Sequence, residues 1–285
     1  MVAAVGERRL PPETFRLLRD LIYDYCGIFF SDDNAYIVHR RLQPRLEALA
    51  LVDFAEYYRY LRSCDPQSRK LELEEIVDRV TTNETYFFRE SYQLTAFRDE
   101  ILPELYEKRP RGKRLSVWSA GCASGEEAYT IAILIMETAL FADWDVRVFG
   151  NDISRRCLQV ARRGAYGRNS FRATDEKLQR RYFREVDGKQ QVRDEIRSLV
   201  SFGQINLMDE QMMRLVGDVD VILCRNVLIY FDTASRKKVI ATLHDKLVKG
   251  GYLLLGHSES LINLSTAFDL VHLKNDMVYR KPPHG

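Results

Sequence analysis

VWSAGCASGEE, residues 117–127, joins a short apolar run to the start of a helical pattern. The apolar run stops in small residues, and apolar positions with helical spacing resume over 128–135. This order predicts a strand, a tight turn and a helix, the unit with which a parallel sheet opens a ligand site. Gly121 and Gly125 have no side chain, so we expect a ligand to come close to the backbone there. Because similar turns also occur purely for packing, the rest of the chain must support this interpretation.

Length and composition limit the class of protein. A chain of 285 residues can form one large domain and one small one. Its 43 Lys and Arg nearly balance 41 Asp and Glu, which argues against a nucleic-acid or membrane-surface partner. No apolar run is long enough to span a bilayer and the N-terminus has no signal-peptide core, so we expect a cytoplasmic protein. The five scattered cysteines favour reduced thiols over disulfides or a metal site, and a monomer is the default expectation.

Residues 1–80 are predicted to form an all-helical N-terminal domain. Proline at the start of a periodic apolar stripe and Gly27 at its end are typical of the first helix. Asp53 followed by Glu56 is typical of a capping box that opens the third.

The second predicted helix is basic. Arg40, Arg41 and Arg45 lie close together on it, with Arg41 and Arg45 one turn apart. They form either a solvated face or a docking surface for an acidic helical partner. Pro44 lies inside this helix and is predicted to bend or shorten it.

TTNETYFFRE, residues 81–90, begins a segment (81–93) that is predicted to connect two domains. Its polar residues are too crowded for a core helix, and its aromatic residues are too many for a free linker. The segment either lies over the mouth of a site, with Asn83, Thr85 and Arg89 facing the ligand, or forms a helix cap and a packed aromatic turn.

Residues 94–285 are predicted to form an α/β domain, because apolar strands alternate with helical patterns. The alternation breaks at about 183–203, where Asp187-Gly188 indicates a hairpin and hence a small antiparallel β insertion. Two short strands around 274–276 end the domain and place an antiparallel strand in an otherwise parallel sheet.

Polar groups follow successive predicted strands of this domain. They are Glu127, Asp152, Asn206, Arg225 and Asn226. Such a ring suits an adenosyl ligand with an amino-acid tail, since ribose, adenine, ammonium and carboxylate each need a partner. The acid that ends the second strand can accept two hydrogen bonds from a ribose diol, or can cap the next helix.

The turn lacks the G-x-G-x-x-G spacing of dinucleotide dehydrogenases, and no dehydrogenase catalytic pair is evident. The predicted fold is therefore α/β, the class I S-adenosylmethionine-dependent methyltransferase fold. It has a Rossmann-like, mostly parallel seven-stranded sheet with an antiparallel last strand, plus the helical N-terminal domain and the β-hairpin insertion.

Four motifs in order make the resemblance specific. They are TTNETYFFRE (81–90), VWSAGCASGEEAYTIA (117–132), CRNVLIYFD (224–232) and GGYLLLGHSESL (250–261). The chain resembles the CheR family over nearly its whole length. CheR proteins are S-adenosylmethionine-dependent methyltransferases that esterify glutamate side chains of bacterial chemotaxis receptors, with S-adenosylhomocysteine as the product.

The resemblance implies a role for each matched residue. The cofactor is contacted from the interdomain segment by Asn83, Thr85 and Arg89. Its ammonium is bound by Glu127, its ribose by Asp152, and its adenine region by Asn206 and Leu207. The pocket is closed by Arg225 and Asn226, and Tyr230 lies beside the methyl group and the sulfonium. Arg89 and Tyr230 are the catalytic candidates, and Arg89 orients either the cofactor's tail or the target carboxylate. No metal is implied.

A glutamate with a pKa of about 4.3 is already ionised at neutral pH, so methylation needs alignment and removal of water, with no general base. The partner implied is the helical cytoplasmic region of a receptor. Some family members also hold a receptor C-terminal peptide on the insertion, but the compact segment 184–202 favours a member that does not. A methyltransferase of another substrate and a non-catalytic receptor-binding scaffold are the alternatives.

Overall fold

The computed structural model describes residues 9–108 and 113–283. The chain forms two compact units. The helical unit contains the residues up to Thr82 together with Tyr230–Ser235, and the sheet unit contains Asn83–Ile229 and the chain from Arg236 onward. Residues 1–8, 109–112 and 284–285, which the predicted domain ranges include, lie outside the described residues. No helix in the described part is both long and apolar enough to cross a membrane.

The described part of the helical unit contains four complete α-helices. They are α1 (Pro12–Cys26), α2 (Ala35–Ala48), α3 (Phe54–Ser63) and α4 (Pro66–Val80). Gly27 ends α1 in the left-handed conformation, with φ of 73°, and the Asp53 carboxylate caps α3 by accepting from the Glu56 amide. Pro44 lies within α2, yet the helix continues to Ala48. The all-helical prediction is confirmed.

Segment 230–235 packs with the helical unit although it follows the fourth strand of the main sheet in sequence. The Tyr23 hydroxyl donates to the Asp232 carboxylate (3.1 Å), and Ile28 forms an isolated antiparallel bridge with Phe231. The predicted domain ranges treated this segment as part of the methyltransferase domain.

Arg41 and Arg45 of α2 are engaged inside their own unit. Arg41 donates to the Val80 and Thr81 carbonyls (2.5 and 2.9 Å), and Arg45 forms two hydrogen bonds with the Glu72 carboxylate (2.5 and 2.7 Å). The side chain of Glu72 is only 4% exposed, so Arg45 neutralises a buried charge. Of the three arginines of the predicted docking surface, Arg40 is exposed and Arg41 and Arg45 are partly buried, and the docking role itself stays a prediction.

The strands and longer helices of the sheet unit alternate as predicted. In chain order they are α5 (Ser91–Ala96), a π-helical turn (Phe97–Ile101), α6 (Leu102–Lys108), β1 (Arg114–Ala120), α7 (Glu126–Thr138), β2 (Asp145–Asp152), α8 (Arg155–Arg163), β3 (Ala165–Tyr166), α9 (Glu176–Tyr182), β4 (Phe183–Val186), β5 (Lys189–Val192), α10 (Asp194–Arg197), β6 (Val200–Gln204), α11 (Glu210–Met213), β7 (Val219–Cys224), α12 (Thr233–Lys246), β8 (Leu247–Leu255), β9 (Asp269–His272) and β10 (Met277–Arg280).

Seven strands form the main sheet in the order β6-β2-β1-β7-β8-β10-β9. The first five are parallel, and β10 runs antiparallel between β8 and β9. The central strand β1 aligns Val117 with Val148 of β2 and with Val221 of β7, and all three residues are fully buried. This arrangement confirms the predicted mostly parallel sheet with an antiparallel last strand, and it brings the carboxyl ends of β1, β2, β6 and β7 to one edge.

A separate three-stranded antiparallel sheet, in the order β3-β5-β4, forms the insertion. Asp187 and Gly188 join β4 to β5 with φ of 50° and 70°, as the hairpin signal predicted. The predicted range of about 183–203 covers this hairpin but omits β3, and its end runs into β6 of the main sheet.

Candidate active site

The turn after β1 is held by the end of β2. Gly121 and Gly125 adopt φ of 76° and 93°, which residues with side chains rarely do. The Asp152 carboxylate accepts from the Ala123 amide (2.8 Å) and from the Ser154 amide (2.8 Å), so it fixes the turn and the entry to α8 together. Ser154 itself caps α8.

The space beside both glycines belongs to protein side chains. A Cβ added to Gly121 would lie 2.5 Å from Val227, and one added to Gly125 would lie 2.7 Å from Ala161. Along the Cβ direction these glycines therefore leave room for Val227 and Ala161, and the approach of a ligand to their backbone stays a prediction.

Arg225, immediately after β7, is the centre of a buried charged cluster. Its side chain is 2% exposed, and its guanidinium lies 3.2 Å from Glu127 and 3.2 Å from Glu90. It also donates to the Arg89 carbonyl (2.5 Å). The Glu127 carboxylate accepts from Ser119 as well (2.7 Å), so strand β1, helix α7 and the loop after β7 meet at one acid.

Glu127 is a buried acid whose charge is only partly compensated. Burial raises the pKa of its carboxyl group, and the nearby Arg225 opposes this without overcoming it. Its neighbour Glu126 accepts from Ser124 (2.7 Å) and Ser170 (3.0 Å), and burial raises the pKa of that carboxyl group too. Glu126 thus stabilises the turn.

The segment before α5 contributes Arg89 and Glu90 to this cluster. Arg89 donates to the Glu84 carbonyl (2.9 Å), and its Nε lies 3.9 Å from Glu90. Phe87 is fully buried and stacks on Phe171, with ring centroids 5.0 Å apart. The segment therefore forms a packed aromatic turn that holds Arg89, and Asn83 and Thr85 lie half-buried earlier in it.

The structure thus brings four predicted residues into one hydrogen-bonded and ion-paired group. They are Arg89, Glu127, Arg225 and Asn226. The side-chain amide of Asn226 joins the group by donating to the Glu90 carboxylate (3.5 Å). Asn206 and Leu207 follow β6, near Asp152, because the Ile205 amide donates to the Asp152 carbonyl (3.2 Å). Tyr230 is grouped with the helical unit, where its hydroxyl donates to the Thr82 carbonyl (3.0 Å).

Sequence reasoning missed Glu90, Ser119 and Glu259. Glu90 follows Arg89 in a quoted motif, and an acid beside a predicted cationic site residue was the available signal. No local pattern indicates that Ser119 reaches Glu127. Glu259 accepts backbone hydrogen bonds from the loop that carries Arg225 and Asn226.

The donor set at this edge fits S-adenosylmethionine. The largely buried Glu127 carboxylate suits an ammonium, since each of its oxygens has two lone pairs and accepts one described hydrogen bond. Asp152, the acid that ends β2, suits a ribose diol. Sheet and donor set together define the class: a Rossmann-like methyltransferase whose cofactor is S-adenosylmethionine.

The chain belongs to the CheR methyltransferase family. Residues 83–277 match the family's SAM binding domain, and residues 13–81 match its all-alpha domain. The chain is 36% identical to chemotaxis protein methyltransferase 2 of Vibrio cholerae serotype O1 over 95% of this chain and 93% of that protein. It is 35% identical to chemotaxis protein methyltransferases of Vibrio parahaemolyticus (94% and 96% covered) and of Borreliella burgdorferi (87% and 88%).

Proposed function

We propose that this protein transfers a methyl group from S-adenosylmethionine to glutamate side chains of chemotaxis receptors in the cytoplasm, forming methyl esters. The family and the names of its relatives support the receptor as substrate. The observation that carries the proposal is the buried cluster around Arg225 at the carboxyl edge of the sheet, because it offers charged partners for the cofactor.

The site residues divide between the parts of the cofactor. Glu127 binds the ammonium, Asp152 the ribose diol, Asn206 and Leu207 the adenine region, and Asn83, Thr85, Arg89, Arg225 and Asn226 line the remainder. The Glu127 carboxylate supports this division, since each of its oxygens has two lone pairs and accepts one described hydrogen bond, from Ser119 or from Arg225. Asp152 supports it by its place at the end of β2, where its carboxylate also holds the turn after β1.

The reaction needs no proton transfer from this chain. The cofactor supplies a methyl group on a sulfonium. With the cofactor bound, a target carboxylate oxygen would form the bond to that carbon as the carbon–sulfur bond breaks, and the electron pair of the broken bond would stay on sulfur. Because the glutamate is ionised at neutral pH, the residues of this chain orient it and exclude water.

Arg89 and Tyr230 are the proposed catalytic residues. Arg89 suits the orientation of a carboxylate because its guanidinium is tethered through the Glu84 carbonyl yet remains about a third exposed. Tyr230 is proposed to lie beside the methyl group and the sulfonium, where its hydroxyl or ring stabilises positive charge. The family motif CRNVLIYFD (224–232) supports this assignment.

Receptor docking is proposed to use the exposed Arg40 of α2. Charge reversal at Arg40 should weaken binding of an acidic receptor helix and leave affinity for the cofactor unchanged, because Arg40 is not among the cofactor residues.

The compact β4–β5 hairpin supports a protein that does not need a receptor tail. Tight binding of a receptor C-terminal peptide in a titration would reverse this second proposal.

Labelled S-adenosylmethionine and receptor cytoplasmic fragments provide the test. We expect label to enter a fragment with glutamates at its methylation positions, and not the same fragment with glutamines there. Arg89→Ala should lower the rate roughly 10²-fold, since a cation that orients charge is lost. Arg98→Ala, whose arginine pairs with its exposed neighbour Asp99, is the matched control. Wild-type rates for Arg89→Ala or Tyr230→Phe would refute the role of that residue.

A further inference from the structure

Glu259 lies in the fourth motif, GGYLLLGHSESL (250–261), and has no assigned role. Its carboxylate accepts four backbone N–H groups. One oxygen accepts from Asn226 (2.8 Å) and Gly256 (2.7 Å), and the other accepts from Val227 (2.9 Å) and Ile229 (3.2 Å). Three of these donors belong to the loop after β7, so one side chain joins that loop to the turn after β8.

The loop adopts a conformation that needs such support. Asn226 has φ of 60°, in the left-handed region, directly after the buried Arg225. The turn after β8 is shaped to receive it, since a Cβ on Gly256 would lie 2.7 Å from the Asn226 amide nitrogen. Without the Glu259 carboxylate the amides of Asn226 and Val227 would lose their acceptor.

The loop after β7 also packs against the turn after β1, which includes Gly121. Val227 occupies the space beside Gly121, where an added Cβ would lie 2.5 Å from it. A shift of the loop therefore changes both the contact with the turn and the place from which Arg225 reaches Glu127 and Glu90. Among the described hydrogen bonds, the Glu259 side chain meets the proposed cofactor residues only at the backbone N–H of Asn226.

We propose that Glu259 is a positioning residue that holds the loop 225–229 in the conformation that binds the cofactor. This inference rests on the proposed cofactor roles of Arg225 and Asn226. Glutamine at position 259 would keep one acceptor oxygen and turn an NH₂ donor towards two N–H groups, so two of the four bonds would be lost and replaced by donor–donor contacts.

Calorimetry with S-adenosylhomocysteine tests the proposal, at a temperature at which every variant is folded. The matched control is Glu100→Gln, because the Glu100 carboxylate likewise accepts backbone N–H groups of a turn. The donors are Lys274 (2.7 Å) and Asn275 (3.1 Å), which lie between β9 and β10. We expect Glu259→Gln to weaken binding about tenfold or more. Glu100→Gln should leave the affinity within about twofold even where its melting temperature falls as far.

Hydrogen exchange supplies a second measurement, on Glu259→Asp, which keeps the charge but is one methylene shorter. We expect faster exchange of the amides of Asn226 and Val227 in this variant and unchanged exchange in Glu100→Gln. Affinity of Glu259→Gln within about twofold of wild type, or an equal loss in Glu100→Gln, would overturn the proposal. Wild-type affinity in Asn226→Ala and Arg225→Met would instead refute the cofactor roles on which it rests.

Discussion

Replacing Arg225 by methionine should destabilise the sheet unit strongly at neutral pH. The substitution removes the cation between Glu90 and Glu127. The two acids, each with a side chain only 15% exposed, then repel each other, and the nearby Arg89 and the Ser119 hydrogen bond offset their charge only in part. Removing one partner of a buried ion pair costs about 3–5 kcal/mol. Because Arg225 itself is 2% exposed, solvent screening is small, and we expect a loss of about 3 kcal/mol.

The loss should depend on pH in a definite direction. Burial already raises the pKa of Glu127 in the folded protein, and removing Arg225 takes away the main influence that lowers it. A folded-state pKa that is raised means that the protonated acid stabilises the fold at low pH and that this stabilisation is lost as the pH rises. The variant should therefore recover stability relative to wild type as the pH falls from neutral towards the usual glutamate value near 4.5.

Urea denaturation followed by tryptophan fluorescence measures this loss. The only two tryptophans, Trp118 and Trp144, both lie in the sheet unit, so the signal reports that unit. Arg180→Met is the control, since Arg180 and Glu176 form an exposed pair and its loss should cost at most about 1 kcal/mol. A loss below about 1 kcal/mol for Arg225→Met, or a loss that does not shrink at lower pH, would refute the reasoning.

Three further predictions concern titratable groups. The affinity of the wild type for S-adenosylhomocysteine should fall as the pH drops through the raised pKa of Glu127, because protonation removes the charge that binds the ammonium. In calorimetry Glu127→Gln should bind weakly at every pH. A wild-type affinity that does not change with pH would contradict this prediction. Since burial raises the pKa of Glu126, Glu126→Gln should gain stability relative to wild type as the pH rises above about 4.5, measured by thermal unfolding, and a constant difference would count against it. Arg45→Met should destabilise the helical unit by about 3 kcal/mol, because it leaves the carboxylate of Glu72 buried without its cationic partner. Arg40→Glu should change the stability by less than about 0.5 kcal/mol. Unfolding followed by far-ultraviolet circular dichroism measures both, and equal effects would refute the internal role of Arg45.

Local patterns in the sequence were sufficient for most of the fold. The strand-turn-helix at 117–127, the hairpin at Asp187-Gly188 and the cap at Asp53 each depend on residues close together in the chain, and the structure has all three. The alternation of strands and helices predicted the parallel sheet, because a helix between two strands returns the chain to the end of the sheet from which the first strand started.

Apart from Arg89, which came from the segment 81–90 and the family resemblance, candidate site residues could be predicted where they follow strand ends. Asp152 and Arg225 were found in this way, since the carboxyl ends of parallel strands share one edge. What Arg41 touches could not be read from helical spacing, because its acceptors at 80 and 81 lie about forty residues away. The same reason hid Glu259, whose four donors come from two different loops.

The nature of the methylated product tests the central claim most directly. A receptor cytoplasmic fragment labelled by this protein from S-adenosylmethionine should release its label as volatile methanol in mild base, because a glutamate methyl ester is hydrolysed there. Label that stays on the fragment in base would indicate an amine or thioether and would contradict the account, as would a fragment that takes up no label while the protein binds the cofactor.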